Sequence, residues 1–163
     1  MRYSALCNFE LLASGSLPEV YGASRQIPDS LIFDRETGRV VDVDPRFPPT
    51  DESPRAGRPK LGVTAREVTL LPRHWDWLAT QPGGASVALR KLVEEASRNP
   101  KARQRQLRDA AYRLATALVG NAPGYEEAMR ALYAGQNEDF AAHIEAWPAD
   151  VRRVLEEMTA EAF

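Results

Sequence analysis

Residues 66–97 read REVTLLPRHWDWLATQPGGASVALRKLVEEAS, and the parsing of this stretch decides the architecture of the chain. Val68, Thr69, Leu70 and Leu71 read as a short strand over residues 66–71. Pro72 stops it, since proline brings no N–H to a ladder. Trp75, Leu78 and Ala79 then fall at i, i+3 and i+4, which predicts a short helix over residues 73–80. Gln81-Pro82-Gly83-Gly84 breaks it. Ala85, Ala88, Leu89, Leu92, Val93 and Ala96 form the apolar stripe of a longer helix ending near Ser97, with Arg90, Lys91, Glu94, Glu95 and Arg98 off the stripe. A lone strand leaves its backbone donors and acceptors unpaired, so two copies are expected to pair their strands antiparallel and share one core.

Three features resemble the ribbon-helix-helix DNA-binding regulators, over about a fifth of the chain. They are the step from Leu71 to Pro72, the spacing to Gly83-Gly84-Ala85-Ser86, and the Leu89-Arg90-Lys91-Leu92-Val93 centre of the second helix. The resemblance implies a homodimer whose paired strands enter the major groove and whose second helices offer N-terminal N–H groups to phosphate. The DNA-binding residues implied are Arg66, Glu67 and Thr69 on the strand, Arg73 on the first helix, and Gly84, Ala85 and Ser86 at the start of the second. The strand has two possible phases. In one, Glu67, Thr69 and Leu71 face the core; in the other, Arg66, Val68 and Leu70 do. Neither presents a purely basic reading face.

Charge is partitioned around this stretch. Residues 1–54 carry 5 basic and 9 acidic side chains, residues 55–108 carry 12 and 4, and residues 109–163 carry 4 and 10. The net charges of −4, +8 and −6 sum to the overall −2. A basic block between acidic flanks is the electrostatic footprint expected of nucleic-acid binding; solvated helix faces produce the same count. Within the block, Gly57-Arg58-Pro59 partly resembles an AT-hook, which implies that Arg58 and Lys60 contact DNA in the minor groove. Residues 101–108, KARQRQLR, are the densest positive run and read either as a phosphate track or as the solvated start of a helix.

On the N-terminal side, Leu11-Leu12-Ala13-Ser14-Gly15, Leu31-Ile32-Phe33-Asp34 and Val40-Val41-Asp42-Val43-Asp44 read as three short strands. Gly38 sits in a hairpin loop, and a turn of helix follows Pro18. Residues 46–65 hold Pro48, Pro49, Pro54 and Pro59 with Gly57 and Gly62, and read as a basic linker. On the C-terminal side, four helical patterns carry Leu107/Ala111/Leu114/Leu118, Tyr125/Met129/Leu132, Phe140/Ile144/Trp147 and Val151/Leu155/Met158. No repeat of fixed period stands out. The expected fold class is α+β: a small β meander over residues 1–45, the linker, a ribbon-helix-helix-like dimerisation unit over residues 66–98, and a helical bundle over residues 99–163.

Other function classes find little purchase. His74 and His143 are far apart in sequence with no Cys or Glu at ligand spacing, and the lone Cys7 has no local base, so no metal, cofactor or catalytic residue is expected. One cysteine makes no internal disulfide. No apolar run is long enough to cross a bilayer and residues 1–8 lack an apolar signal core, which leads to the expectation of a cytoplasmic protein without a membrane partner. Taken whole, the chain resembles an uncharacterised bacterial family, a domain of unknown function. The likeness rests on residues 57–62 (GRPKLG), 67–78 (EVTLLPRHWDWL) and 147–151 (WPADV). The favoured expectation is a homodimeric, sequence-specific DNA-binding protein, a bacterial transcriptional regulator. The alternative is a non-catalytic interaction module that dimerises through the same strand without DNA.

Overall fold

Tyr3–Cys7 forms β1, an inner strand of a four-stranded antiparallel sheet of order β2-β1-β3-β4. The computed structural model describes residues 2–50, 64 and 66–163. The other strands are β2 (Glu10–Gly15), β3 (Leu31–Asp34) and β4 (Arg39–Val40). The first two strands expected from sequence are present, whereas the third, expected over residues 40–44, is confined to Arg39–Val40 and the chain is irregular from Val41 to Asp44. The meander is corrected by the addition of β1, which pairs with both β2 and β3 and holds the sheet together. Its sequence, YSALC, carries little apolar alternation. Ser4 is nevertheless buried, its hydroxyl bonded to that of Ser14 across the β1–β2 pair at 2.8 Å.

The chain divides into two units, Met1–Asp51 with Arg103–Phe163, and Glu52–Ala102. In the first unit, β1 and β3 send alternate side chains to opposite faces. Ala5 and Ile32 pack against Val20 of α1 (Leu17–Ser24). Leu6 and Phe33 instead join a core with α4 (Pro100–Val119), α5 (Tyr125–Ala134), α6 (Asn137–Ile144) and α7 (Ala149–Thr159). Sheet and C-terminal helices, set apart in the sequence reading, therefore share one hydrophobic core.

Two local devices dock the sheet. The register of β1 with β2 shifts between Ala5 and Leu6, so Leu6 lies opposite Leu11 and Leu12 is the extra residue of a bulge. The Leu11 N–H donates at 2.8 Å to Asp150 Oδ2 in the first turn of α7, where a carboxylate also suits the helix dipole. In the β3–β4 turn, Gly38 has φ +67, and a Cβ there would run into the backbone carbonyl oxygen of Ala110 on α4. The hairpin reaches α4 this closely because the residue is glycine. Arg113 secures the contact by donating to the Thr37 carbonyl at 2.9 Å.

The second unit holds α2 (Pro72–Ala79) and α3 (Gly84–Ser97), close to the two helices expected. Pro72 occupies the first turn of α2, where its missing N–H is harmless. Thr80 Oγ1 donates to the Trp77 carbonyl at 2.7 Å at the other end. Gly83 and Gly84, at φ +84 and +76, then turn the chain into α3. Two consecutive left-handed residues are a conformation that side chains resist, which explains the double glycine.

Candidate functional site

The sequence places the candidate site on the second unit, and its described part is distinguished by how little it buries. Leu78 of α2 and Ala88 of α3 are its buried apolar residues. Trp75, expected in the core, is 42% exposed and Trp77 51%. On α3 the expected stripe is covered only in its first half. Ala85 and Leu89 are half-buried, whereas every residue of α3 from Lys91 onward is exposed. Leu92, expected at the centre of the stripe, is 44% exposed, and Val93 65%. Among the described residues of this unit, the element packed against α3 is α2, an eight-residue helix.

Residues 66–71 form no strand within one chain. Among the described residues, the backbone groups of residues 66–70 make no backbone hydrogen bond; the Leu71 carbonyl accepts from His74 N–H at 2.8 Å as α2 begins. Leu70 is half-buried, while Arg66, Glu67, Val68, Thr69 and Leu71 are exposed.

The other expected contact residues are placed as follows. Arg58 and Lys60 lie outside the described residues. Arg73 is exposed on α2. Gly84 and Ala85 are half-buried and Ser86 is exposed, all in the first turn of α3. The Ser86 carbonyl accepts from Arg90 Nε at 3.2 Å, which turns that guanidinium back onto its own helix. Arg98 lies 3.8 Å from Glu94. Among the described residues, Arg66, Arg73 and Lys101 are in no salt bridge.

The basic run of residues 101–108 is split in its use. Arg108 Nε donates to the Ala162 carbonyl at 2.9 Å, and Gln104 Nε2 to that of Phe163 at 3.2 Å, so both tie down the C-terminal end of the chain. Lys101, Arg103 and Arg105 stay exposed. Arg103 lines a shallow cleft beside Arg35, whose guanidinium pairs with Glu157 at 2.7 Å.

Sequence reasoning missed two features. The first is a groove of about 710 Å³ in the first unit, lined by Phe9, Tyr112, Thr116, Tyr125 and Trp147. Two of its rings are engaged with each other and with polar groups: Trp147 Nε1 donates to the Pro123 carbonyl at 2.9 Å and its ring stacks on Tyr125, whose hydroxyl meets Thr116 Oγ1 at 2.6 Å. Nearby, Tyr133 donates to Asp109 at 2.8 Å; burial and that bond push its phenol up to about 12. The lining offers no nucleophile–base pair. Among the described residues, no group of three or more His, Cys, Asp or Glu side chains is arranged to hold a metal ion.

The second is a likeness between α3 and α5. Gly84, Ala88, Arg90 and Leu92 recur at the same spacing as Gly124, Ala128, Arg130 and Leu132. Gly84 and Gly124 share the left-handed turn, at φ +76 and +78. In α5, Ala128, Met129 and Leu132 are buried under neighbouring helices. In α3, Ala88 alone of the matching positions is buried. The signal was available in the sequence as a single pair of matching segments, too short to register as a periodic repeat.

Fold and surface together define an α+β protein whose second unit carries an amphipathic helix exposed along its second half. The chain belongs to a bacterial family described as "Uncharacterized protein conserved in bacteria (DUF2239)", which it matches over residues 2–159. No curated protein and no solved structure matches it. The likeness of residues 66–98 to ribbon-helix-helix regulators finds no support in these comparisons. No helix among the described residues is long and apolar enough to cross a membrane.

Proposed function

We propose that residues 66–98 are a self-association unit and that the protein works as a homodimer. The observation that carries this reading is the open half of α3. Leu132, which α5 buries, has its counterpart Leu92 44% exposed on α3, with Val93 exposed beside it. Apolar surface of this kind gains free energy when covered, at roughly 25 cal/mol per Å². The extended segment before α2 supports a second copy as the cover. Its backbone groups, which make no backbone hydrogen bond among the described residues up to Leu70, are suited to a ladder with an identical segment running antiparallel, an isologous contact that closes after two chains.

DNA binding by this dimer is the favoured second step. Its support is the +8 charge of residues 55–108 between flanks of −4 and −6, together with Arg66, Arg73 and Lys101 outside salt bridges among the described residues. A dimer carries that charge twice. One observation favours the alternative, an interaction module that does not touch DNA. Leu70 is half-buried while Arg66 and Val68 are exposed, and this supports the phase that turns Leu70 inward and leaves Glu67, Thr69 and Leu71 outward. That face has no base-reading cation.

A polarisation titration of the full chain against genomic DNA fragments at two salt concentrations separates the two. The DNA reading expects affinity to fall steeply with salt. Replacing Arg58 and Lys60 together by Ala should then reduce the log–log slope by roughly 1.8. Absence of binding at low salt by a chain that is dimeric in the same buffer leaves the interaction module as the function.

A further inference from the structure

We propose that α3 is the seam of the dimer, and that two copies pack it antiparallel about a two-fold axis at the level of Leu92 and Val93. In this arrangement Lys91 of each copy faces Glu95 of the partner subunit. The proposal rests on the self-association reading and specifies its geometry.

The argument starts from the helical positions. At about 3.6 residues per turn, Ala85, Leu92 and Ala96 lie within roughly 40° of one another around the α3 axis. Glu95 and Lys91 lie on one side of that line, roughly 80° and 120° around the helix from it, and Leu89 and Val93 on the other, at roughly 40° and 80°. Lys91, Leu92, Val93, Glu95 and Ala96 are all exposed in the single chain, so the whole strip is free to be covered. Ala96, on the line and within the overlap of the two helices, is small, which permits the axes to come close.

The charges then choose the occupant and its direction. Glu94 is paired within the helix with Arg98 at 3.8 Å, and Arg90 donates to the Ser86 carbonyl. Lys91 and Glu95 are in no salt bridge among the described residues, although they stand four apart on one helix. Lysine preceding glutamate is the weaker order for a pair within a helix. Between two helices the same order works well. In an antiparallel pair the matching flanks of the two helices meet in inverted order, so Lys91 meets Glu95 of the partner subunit twice over. In a parallel pair the Lys91/Glu95 flank meets the Leu89/Val93 flank instead, and neither charge gains a partner. The strip is thus self-complementary, as an isologous interface between identical copies requires. The two-fold midway between Lys91 and Glu95 falls at Val93, next to Leu92, so the apolar side chains sit at its centre where water exclusion is greatest.

The experiment is sedimentation of the full-length chain over a concentration series, with Lys91→Glu, Glu95→Lys and the double exchange. All three change exposed side chains and leave the packing of the unit alone. Each single variant sets like charge against like charge at two symmetric places and should dimerise about tenfold more weakly. An equimolar mixture of the two single variants should recover the wild-type association constant, because glutamates of one copy meet lysines of the other. The double exchange should recover it as a homodimer. Single variants that associate as tightly as wild type, or a mixture no tighter than its components, overturn the antiparallel α3 seam while the dimer itself stands. A monomeric wild-type chain removes the seam and the self-association reading together.

Discussion

Gly38 shows most directly how one residue positions a large part of the fold. Its φ of +67 and the nearness of the Ala110 carbonyl both require the absence of a Cβ. Gly38→Ala is expected to cost roughly 2–4 kcal/mol in urea unfolding, since backbone strain and displacement of the hairpin from α4 add together. A loss under about 0.5 kcal/mol, the scale of an ordinary surface change, would mean that the hairpin is not held against α4. Tyr133 makes a pH prediction. Its phenol is raised by burial first and by the bond to Asp109 second, from 10.0 to about 12. The folded state therefore holds this proton more tightly than the unfolded chain. The stability it contributes is complete below pH 10 and is lost as pH rises toward 12. Tyr133→Phe should flatten that decline in alkaline unfolding curves. Tyr125, also raised by burial, keeps a slope of the same sign in the variant. An unchanged slope would show that Tyr133 is freely solvated.

At the scale of elements, the helices were largely legible and the sheet only partly so. The apolar spacing of α4 to α7 and the Pro and Gly residues between them mark their positions, because helix periodicity survives in any sequence that buries one face. The inner strand β1 was not legible. Ser4 and Ala5 are small, and their burial depends on β2, β3 and the C-terminal helices closing over them, which no local pattern announces. The tie from Leu11 to Asp150 joins residues far apart in sequence and is likewise invisible locally. On α3 the stripe was legible but its cover was not: spacing identifies an apolar face and does not say which chain buries it. The α5 likeness leads to a stability prediction. If the dimer covers α3, Leu92→Ala removes roughly 2–5 kcal/mol, as for other buried leucines. The wild-type Tm should rise with protein concentration, and the variant should lose most at low concentration. A concentration-independent Tm with a change below about 1 kcal/mol would place Leu92 on a solvated surface.

For the molecule as a whole, the two units divide the labour suggested by their burial. The first encloses a hydrophobic core between sheet and helices, and Trp147 and Asp150 of the WPADV stretch serve within it, one bonding Pro123 and the other Leu11. The second keeps Trp75, Trp77, Leu92 and Val93 in water and carries an excess of positive charge. Family membership places the chain among bacterial proteins and adds nothing about what meets this surface. The central claim is that a second copy does. Sedimentation equilibrium of the full chain from nanomolar to tens of micromolar tests it directly. The account predicts a reversible transition from 18.1 kDa to twice that mass, completed in the micromolar range. A single species of 18.1 kDa at every concentration would contradict it.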